Sequence, residues 1–207
     1  MKRALLVGTI VLVAQAASAD ILVNPGFETG TVFGNPDVPG APGWATFGNV
    51  YNTSSPNPGP TGPHSGTGAL KQFGTFPGVS GAFQSFSAVP GQVWSLSGYG
   101  LNSSSDAMQL ENFGILKISF QDAAGTELLG LESARITIAT PLDQWQFLTA
   151  IGTAPAGTSQ VRLFALFVQP NFNGGSAFFD DLSAVPAPGC LSLLAASGMF
   201  VARRRRR

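Results

Sequence analysis

The sequence predicts an all-β protein, an antiparallel β-sandwich of two sheets, and three observations carry that expectation. The 207 residues include 26 Gly and 15 Pro, which leave little uninterrupted chain for long helices. Sixteen Phe and three Trp supply enough apolar surface to offset the entropy of ordering the chain. Short apolar or alternating runs recur along the chain, each bounded by turn residues.

Those runs, in order, are 21–23, 44–51, 68–73, 81–89, 92–101, 115–121, 135–140, 144–152, 159–168 and 176–184. Leu116, Ile118 and Phe120 alternate with Lys117 and Ser119, the pattern of a strand with one buried and one wet face. Ile136 and Ile138 alternate with Arg135 and Thr137 in the same way. The run from Val161 to Val168 is apolar on both faces apart from Arg162, as a central strand should be. Ser103, Ser104, Ser105 and Asp106 precede Ala107–Leu110 and read as the cap of one or two helical turns. The stretches 34–43 and 52–66 are rich in turn residues and read as ordered surface loops.

Charge and residue counts remove several function classes. Between residues 20 and 185, Lys71, Lys117, Arg135 and Arg162 face eleven carboxylates, a net charge of −7. A domain this acidic repels a phosphate backbone, so nucleic acid is excluded as a partner. One Cys and one His exclude a disulfide scaffold and a Cys- or His-rich metal centre. His64 has no Ser or Cys beside it at a spacing that marks a triad, and no pair among the loop carboxylates is identifiable as glycosidase machinery. No catalytic residue is therefore expected.

The ends read as addresses. Met1-Lys2-Arg3, an apolar run to Ala14 and Ala17-Ser18-Ala19 form a secretory signal peptide over residues 1–19. At the other end, Val185-Pro186-Ala187-Pro188 precedes an apolar stretch, Gly189–Ala202, and then Arg203, Arg204, Arg205, Arg206 and Arg207. Fourteen helical residues reach only ~21 Å against a hydrocarbon core of ~30 Å. The arginines stay on the cytoplasmic side, which hangs the preceding domain outside.

This tail, 186–207, resembles the PEP-CTERM sorting segment of exopolysaccharide-producing bacteria, with Ala187 where that family usually carries Glu. The resemblance implies transient anchoring in the inner membrane by the C-terminal helix. It further implies removal by an exosortase-type membrane protease and release to the cell surface, the outer envelope or the medium.

Residues 20–185 carry a second resemblance. Leu22-Val23-Asn24-Pro25-Gly26-Phe27-Glu28, His64-Ser65-Gly66 with Ala69-Leu70-Lys71, and Phe83-Gln84 with Val89-Pro90-Gly91-Gln92 come first. Trp145 with Pro155-Ala156-Gly157, then Phe178-Phe179-Asp180-Asp181-Leu182, complete the order. It is similar to that of jelly-roll carbohydrate-binding modules of the galactose-binding-like superfamily. The resemblance implies a jelly-roll sandwich and a structural calcium ion tying the first strand to the last through Glu28, Asp180 and Asp181. Calcium takes six to eight hard oxygen ligands, which carboxylates supply.

Sugar binding uses flat rings against the apolar faces of pyranoses. Trp44, Tyr51 and Phe172 lie near loops and are the platform candidates; most Phe, with Trp94 and Trp145, are assigned to the core by alternation. The expectation is an exported, non-catalytic surface or matrix protein whose sandwich binds polysaccharide. The alternatives are a structural or adhesive sandwich with no glycan site, or a polysaccharide-acting enzyme.

Overall fold

The computed structural model describes residues 20–30, 37–54, 59–74 and 78–187. Residues 1–19, expected to be a signal peptide, and the tail from Pro188 onward, including all five terminal arginines, lie outside the described residues. Among the described residues the protein is all-β, with eleven strands and no helix. They are β1 (Asp37–Pro39), β2 (Ala45–Phe47), β3 (Asn49–Ser54), β4 (Gly68–Phe73), β5 (Gly78–Ser87) and β6 (Val93–Leu101). β7 (Phe113–Gln121), β8 (Glu127–Glu132), β9 (Gln146–Thr153), β10 (Gln160–Gln169) and β11 (Ser176–Ala187) follow.

They form two sheets, of six strands in the order β1-β3-β4-β11-β6-β9 and of five in the order β2-β5-β10-β7-β8. All the strand pairings are antiparallel. Alternation decides what each sheet buries. On β10, Val161, Leu163, Ala165 and Phe167 point into the sandwich, and on β7 Leu116, Ile118 and Phe120 do the same. Trp94 and Leu96 of β6, Leu70 of β4 and Phe179 of β11 meet them from the other sheet. Each buried Val, Leu, Ile or Phe among them contributes about 1.5–3 kcal/mol by leaving water. Buried Gln72 of β4 donates its Nε2–H to the Ala165 carbonyl of β10 at 3.1 Å, a hydrogen bond carried across the core.

β10 is central, flanked by β5 and β7, as its two-faced apolar pattern requires. Other boundaries differ from expectation for identifiable reasons. The run 44–51 is two strands in different sheets, because Gly48 turns the chain at φ +70°. A Cβ at Gly48 would lie 2.5 Å from Ser80 Oγ, so only glycine fits this turn. Residues 135–140 are not a strand; Ile136 makes a single bridge to Gly114. Residues 103–110 form turns rather than helix. Two strands, β1 and β8, arise where loops were expected; β8 is a mostly exposed edge strand paired only with β7.

Residues 21–23 are also not a strand, yet they are fastened. Ile21 N donates to Ala184 O at 3.2 Å, and Gln84 grips both the N–H and the C=O of Val23. Asp20 Oδ1 accepts from Ala184 N, so the start and the end of the sandwich lie side by side. β11 continues past Val185 through Pro186 and Ala187, paired with Trp94 and Val93 of β6. Over this stretch β11 pairs with β6 alone, and proline is tolerated where a strand has an open side.

Candidate functional site

Asp180 and Asp181 share one corner, where residues 24–28, the 64–68 turn and β11 come together, and Glu28 faces the same turn. Asp181 sits at φ +47°, at the point where the β11–β6 register shifts. Asp180 is fully buried, and its Oδ2 accepts the backbone N–H groups of His64 and Ser65 at 2.8 and 3.2 Å. Burial pushes its carboxyl up to about 7, and the neighbouring Asp181 charge pushes the same way against three backbone N–H donors.

Asp181 accepts from Ser65 Oγ at 2.7 Å, and its Oδ2 lies 2.6 Å from His64 Nδ1. The His64 ring stacks on Tyr99 at 3.6 Å, with Trp145 edge-on at 5.8 Å and its Nε1–H donated to Gly62 O. Trp145, assigned to the core by alternation, is therefore half-buried beneath the 59–66 segment rather than between the sheets.

Glu28 turns the other way. Its carboxylate accepts Thr67 N, Thr67 Oγ1 and Gly68 N, and it lies over Gly66, where a Cβ would collide with it at 2.3 Å. Among the described residues no three His, Cys, Asp or Glu side chains gather as a metal cage. The trio implied by the resemblance is thus divided: Glu28 braces the 66–68 backbone, while the two aspartates share a corner. A Cβ at Gly26 would stand 3.3 Å from Asp181 Oδ1 and 3.8 Å from Asp180 Oδ1. That cradle of hard oxygens around a glycine, with one carboxylate fully buried, fits a cation in chemistry.

The platform candidates separate as well. Trp44 is buried, 5.4 Å from Phe27 with its Nε1–H donated to Asn24 O, so it presents no ring to a ligand. Its place next to a loop hid the fact that the loop folds inward over it. Tyr51 and Phe172 do come together, across an open cleft of about 570 Å³ at the end of the six-stranded sheet. Tyr51 stacks on Phe73 at 5.4 Å, and Phe172 is 82% exposed. Lys71 lines the same cleft, paired with Asp37 at 3.2 Å and 5.8 Å from the Phe178 ring.

A second ring-bearing surface went unread in the sequence. On the outer face of the five-stranded sheet, Phe47 of β2, Phe83 of β5 and Phe164 of β10 form a continuous row. Their centroids are 6.3 Å apart for the first pair and 5.2 Å for the second. Phe47 is 38% exposed, and Phe83 and Phe164 are half-buried. Gly81 leaves the space that the Phe47 ring occupies, since a Cβ there would lie 2.4 Å from Phe47 Cζ. The Arg162 guanidinium lies over Phe83 with Cζ 5.2 Å from the centroid, and Arg135 stands over Phe113 at 3.9 Å on the same sheet. Phe83 and Phe164 were assigned to the core as Phe residues; the signal that finds them is phase, since both alternate with inward neighbours.

No family profile and no curated protein sequence matches the chain. Among solved structures it is similar to the Stig cyclase Fisc of Fischerella sp. TAU, with TM-score 0.64 and 14% identity over 84% of this chain and 100% of that one. It is also similar to the CBM22-1 xylan-binding domain of Paenibacillus barcinonensis Xyn10C, with TM-score 0.52 and 16% identity over 84% and 99%. The C-terminal family 22 carbohydrate-binding module of Clostridium thermocellum Xyn10B matches at TM-score 0.52 and 14% identity, over 84% and 94%. At these identities the likeness is one of fold: two antiparallel sheets in the jelly-roll arrangement of carbohydrate-binding modules, a frame that also occurs in a cyclase.

Proposed function

We propose that the sandwich is a non-catalytic polysaccharide-binding module that holds its ligand on the outer face of the five-stranded sheet. The observation that carries this reading is the continuous row of Phe47, Phe83 and Phe164 across three strands. Rings fixed by a sheet bury the apolar faces of successive sugars at little entropic cost. The fold is shared with a domain described as xylan-binding, though fold alone does not confer function. A non-catalytic role is supported at His64, because Ser65 Oγ donates to Asp181 and not to the imidazole.

The cleft of Tyr51 and Phe172 supports a second reading, in which the ligand sits on the other sheet. Titration of the purified protein against a broad glycan panel separates the two. Phe83→Ala and Phe164→Ala are expected to remove roughly 1–3 kcal/mol of affinity while Tyr51→Ala leaves it unchanged. The reverse pattern moves the site to the cleft, and flat titrations throughout leave a structural or adhesive sandwich.

At the corner, a structural calcium ion belongs to the same proposal. Asp180 and Asp181 would hold it, and it would supply the positive charge that a buried carboxylate lacks. For the flanks we propose export by the signal peptide, transient membrane anchoring by the C-terminal apolar stretch, and processing by an exosortase-type protease.

A further inference from the structure

The acidic domain places its cations unevenly. Three of the four basic residues between 20 and 185, Lys117, Arg135 and Arg162, stand on the five-stranded sheet or beside its rings. Lys71, Lys117 and Arg135 each have an acidic partner within 4 Å: Asp37, Glu127 and Glu132. Arg162 is the one cation among the described residues with no such partner, and its Nε is buried without a hydrogen bond.

Its position explains what it lacks. In the centre of β10, Arg162 is level with Ser85 on one side and Ser119 on the other. Glu127, which accepts from the neighbouring Ser119 Oγ, is already paired with Lys117 at 2.9 Å. What remains is a half-buried arginine whose Cζ stands 5.2 Å from the centroid of Phe83, the middle ring of the row. A planar fork of donors in that setting matches a carboxylate geometrically. Beyond about 8 Å at physiological ionic strength the negative field of the rest of the domain is screened, so the local cation decides what binds beside the rings.

We propose that the ring face selects an acidic polysaccharide, with Phe83 and Phe164 stacking on pyranose rings and Arg162 pairing with a carboxylate carried by an adjacent uronic acid. This rests on the ring-face reading above and names the class of sugar for that same surface. Arg162 is the specificity residue; the rings supply contact that either a neutral or an acidic sugar would use.

The test compares polygalacturonate with its fully methyl-esterified form, the same skeleton without the charge, on the purified full-length protein. Polygalacturonate is expected to bind at least about tenfold more tightly, the order of one charge-assisted hydrogen-bonded pair. Arg162→Met keeps the apolar stem and should bring that preference close to one without abolishing binding of the ester. Equal affinity of the wild-type protein for the two polymers overturns the acidic selection, and this arm needs no variant to fold. A preference that survives in Arg162→Met, with unchanged melting, overturns the role of Arg162. Binding of neither polymer, together with no loss in Phe83→Ala against any glycan, overturns the ring-face reading itself.

Discussion

Asp180 combines two demands that oppose each other: it anchors the 64–65 backbone with a carboxylate, and it does so fully buried. Burial lifts its pKa from 3.8 to about 7. The folded protein therefore holds this proton more tightly than the unfolded chain does. Stability from this group is complete below the unfolded value and is lost as pH rises through the folded one. With divalent ions chelated, the melting temperature is expected to fall between pH 5 and pH 8, and Asp180→Asn is expected to flatten that slope. A profile unchanged by the substitution would assign the pH dependence elsewhere. The Asp-Asp pair was legible in the sequence, but its unequal burial was not. Which aspartate faces inward depends on the irregularity at Asp181, and irregularities of register leave no periodic trace in a sequence.

At the scale of elements, β11 and the segment 20–28 act as one unit. Leu182 N donates to Pro25 O at 3.0 Å and Ile21 N to Ala184 O, so two stretches far apart in sequence close one side of the sandwich. A cation bound at the Asp180–Asp181 corner would stabilise this unit by mass action, since the unfolded chain has no such corner. Chelation is accordingly expected to lower the melting temperature at pH 7.5, and Asp181→Asn to remove most of the difference. Identical melting with and without chelator, in metal-stripped protein, would leave the corner as a purely hydrogen-bonded latch.

Strands with strong alternation were readable because half their residues face a common core: β4 has the expected limits, and β6, β7, β9 and β10 lie within two residues of theirs. β1 and β8 were not, because each is an edge strand whose pattern lacks a clean buried face. The candidate site followed the same division. Tyr51 and Phe172 were found by their neighbourhood in the chain, whereas Phe47, Phe83 and Phe164 are brought together by pairing between strands.

The whole molecule is a sandwich with its proposed binding face on one sheet and its final strand in the other. β11 runs through Pro186 and Ala187, so the Pro-x-Pro motif begins inside the last strand rather than after a linker. An exosortase-type protease would work at the rim of the folded domain. The mature protein from its native host is expected to end upstream of Gly189, as measured by intact mass; recovery of a chain still carrying Arg207 would make the tail a permanent anchor.

The side-by-side ends of the sandwich have a mechanical consequence. Ile21 and Asp20 hold Ala184 through only two hydrogen bonds, and β11 lies between them and β6. A domain gripped by a polymer on the five-stranded sheet and tethered through Ala187 carries tension from one sheet to the other. That load runs through interdigitated side chains such as Trp94 and Phe167, while the two terminal bonds stand outside its path. A pull through a ligand on that sheet would shear a packed interior, whereas a pull between Asp20 and Ala187 would load first the two hydrogen bonds at Ala184. The same fold would thus be stiff to a ligand on that sheet and soft to tension between its first and last described segments.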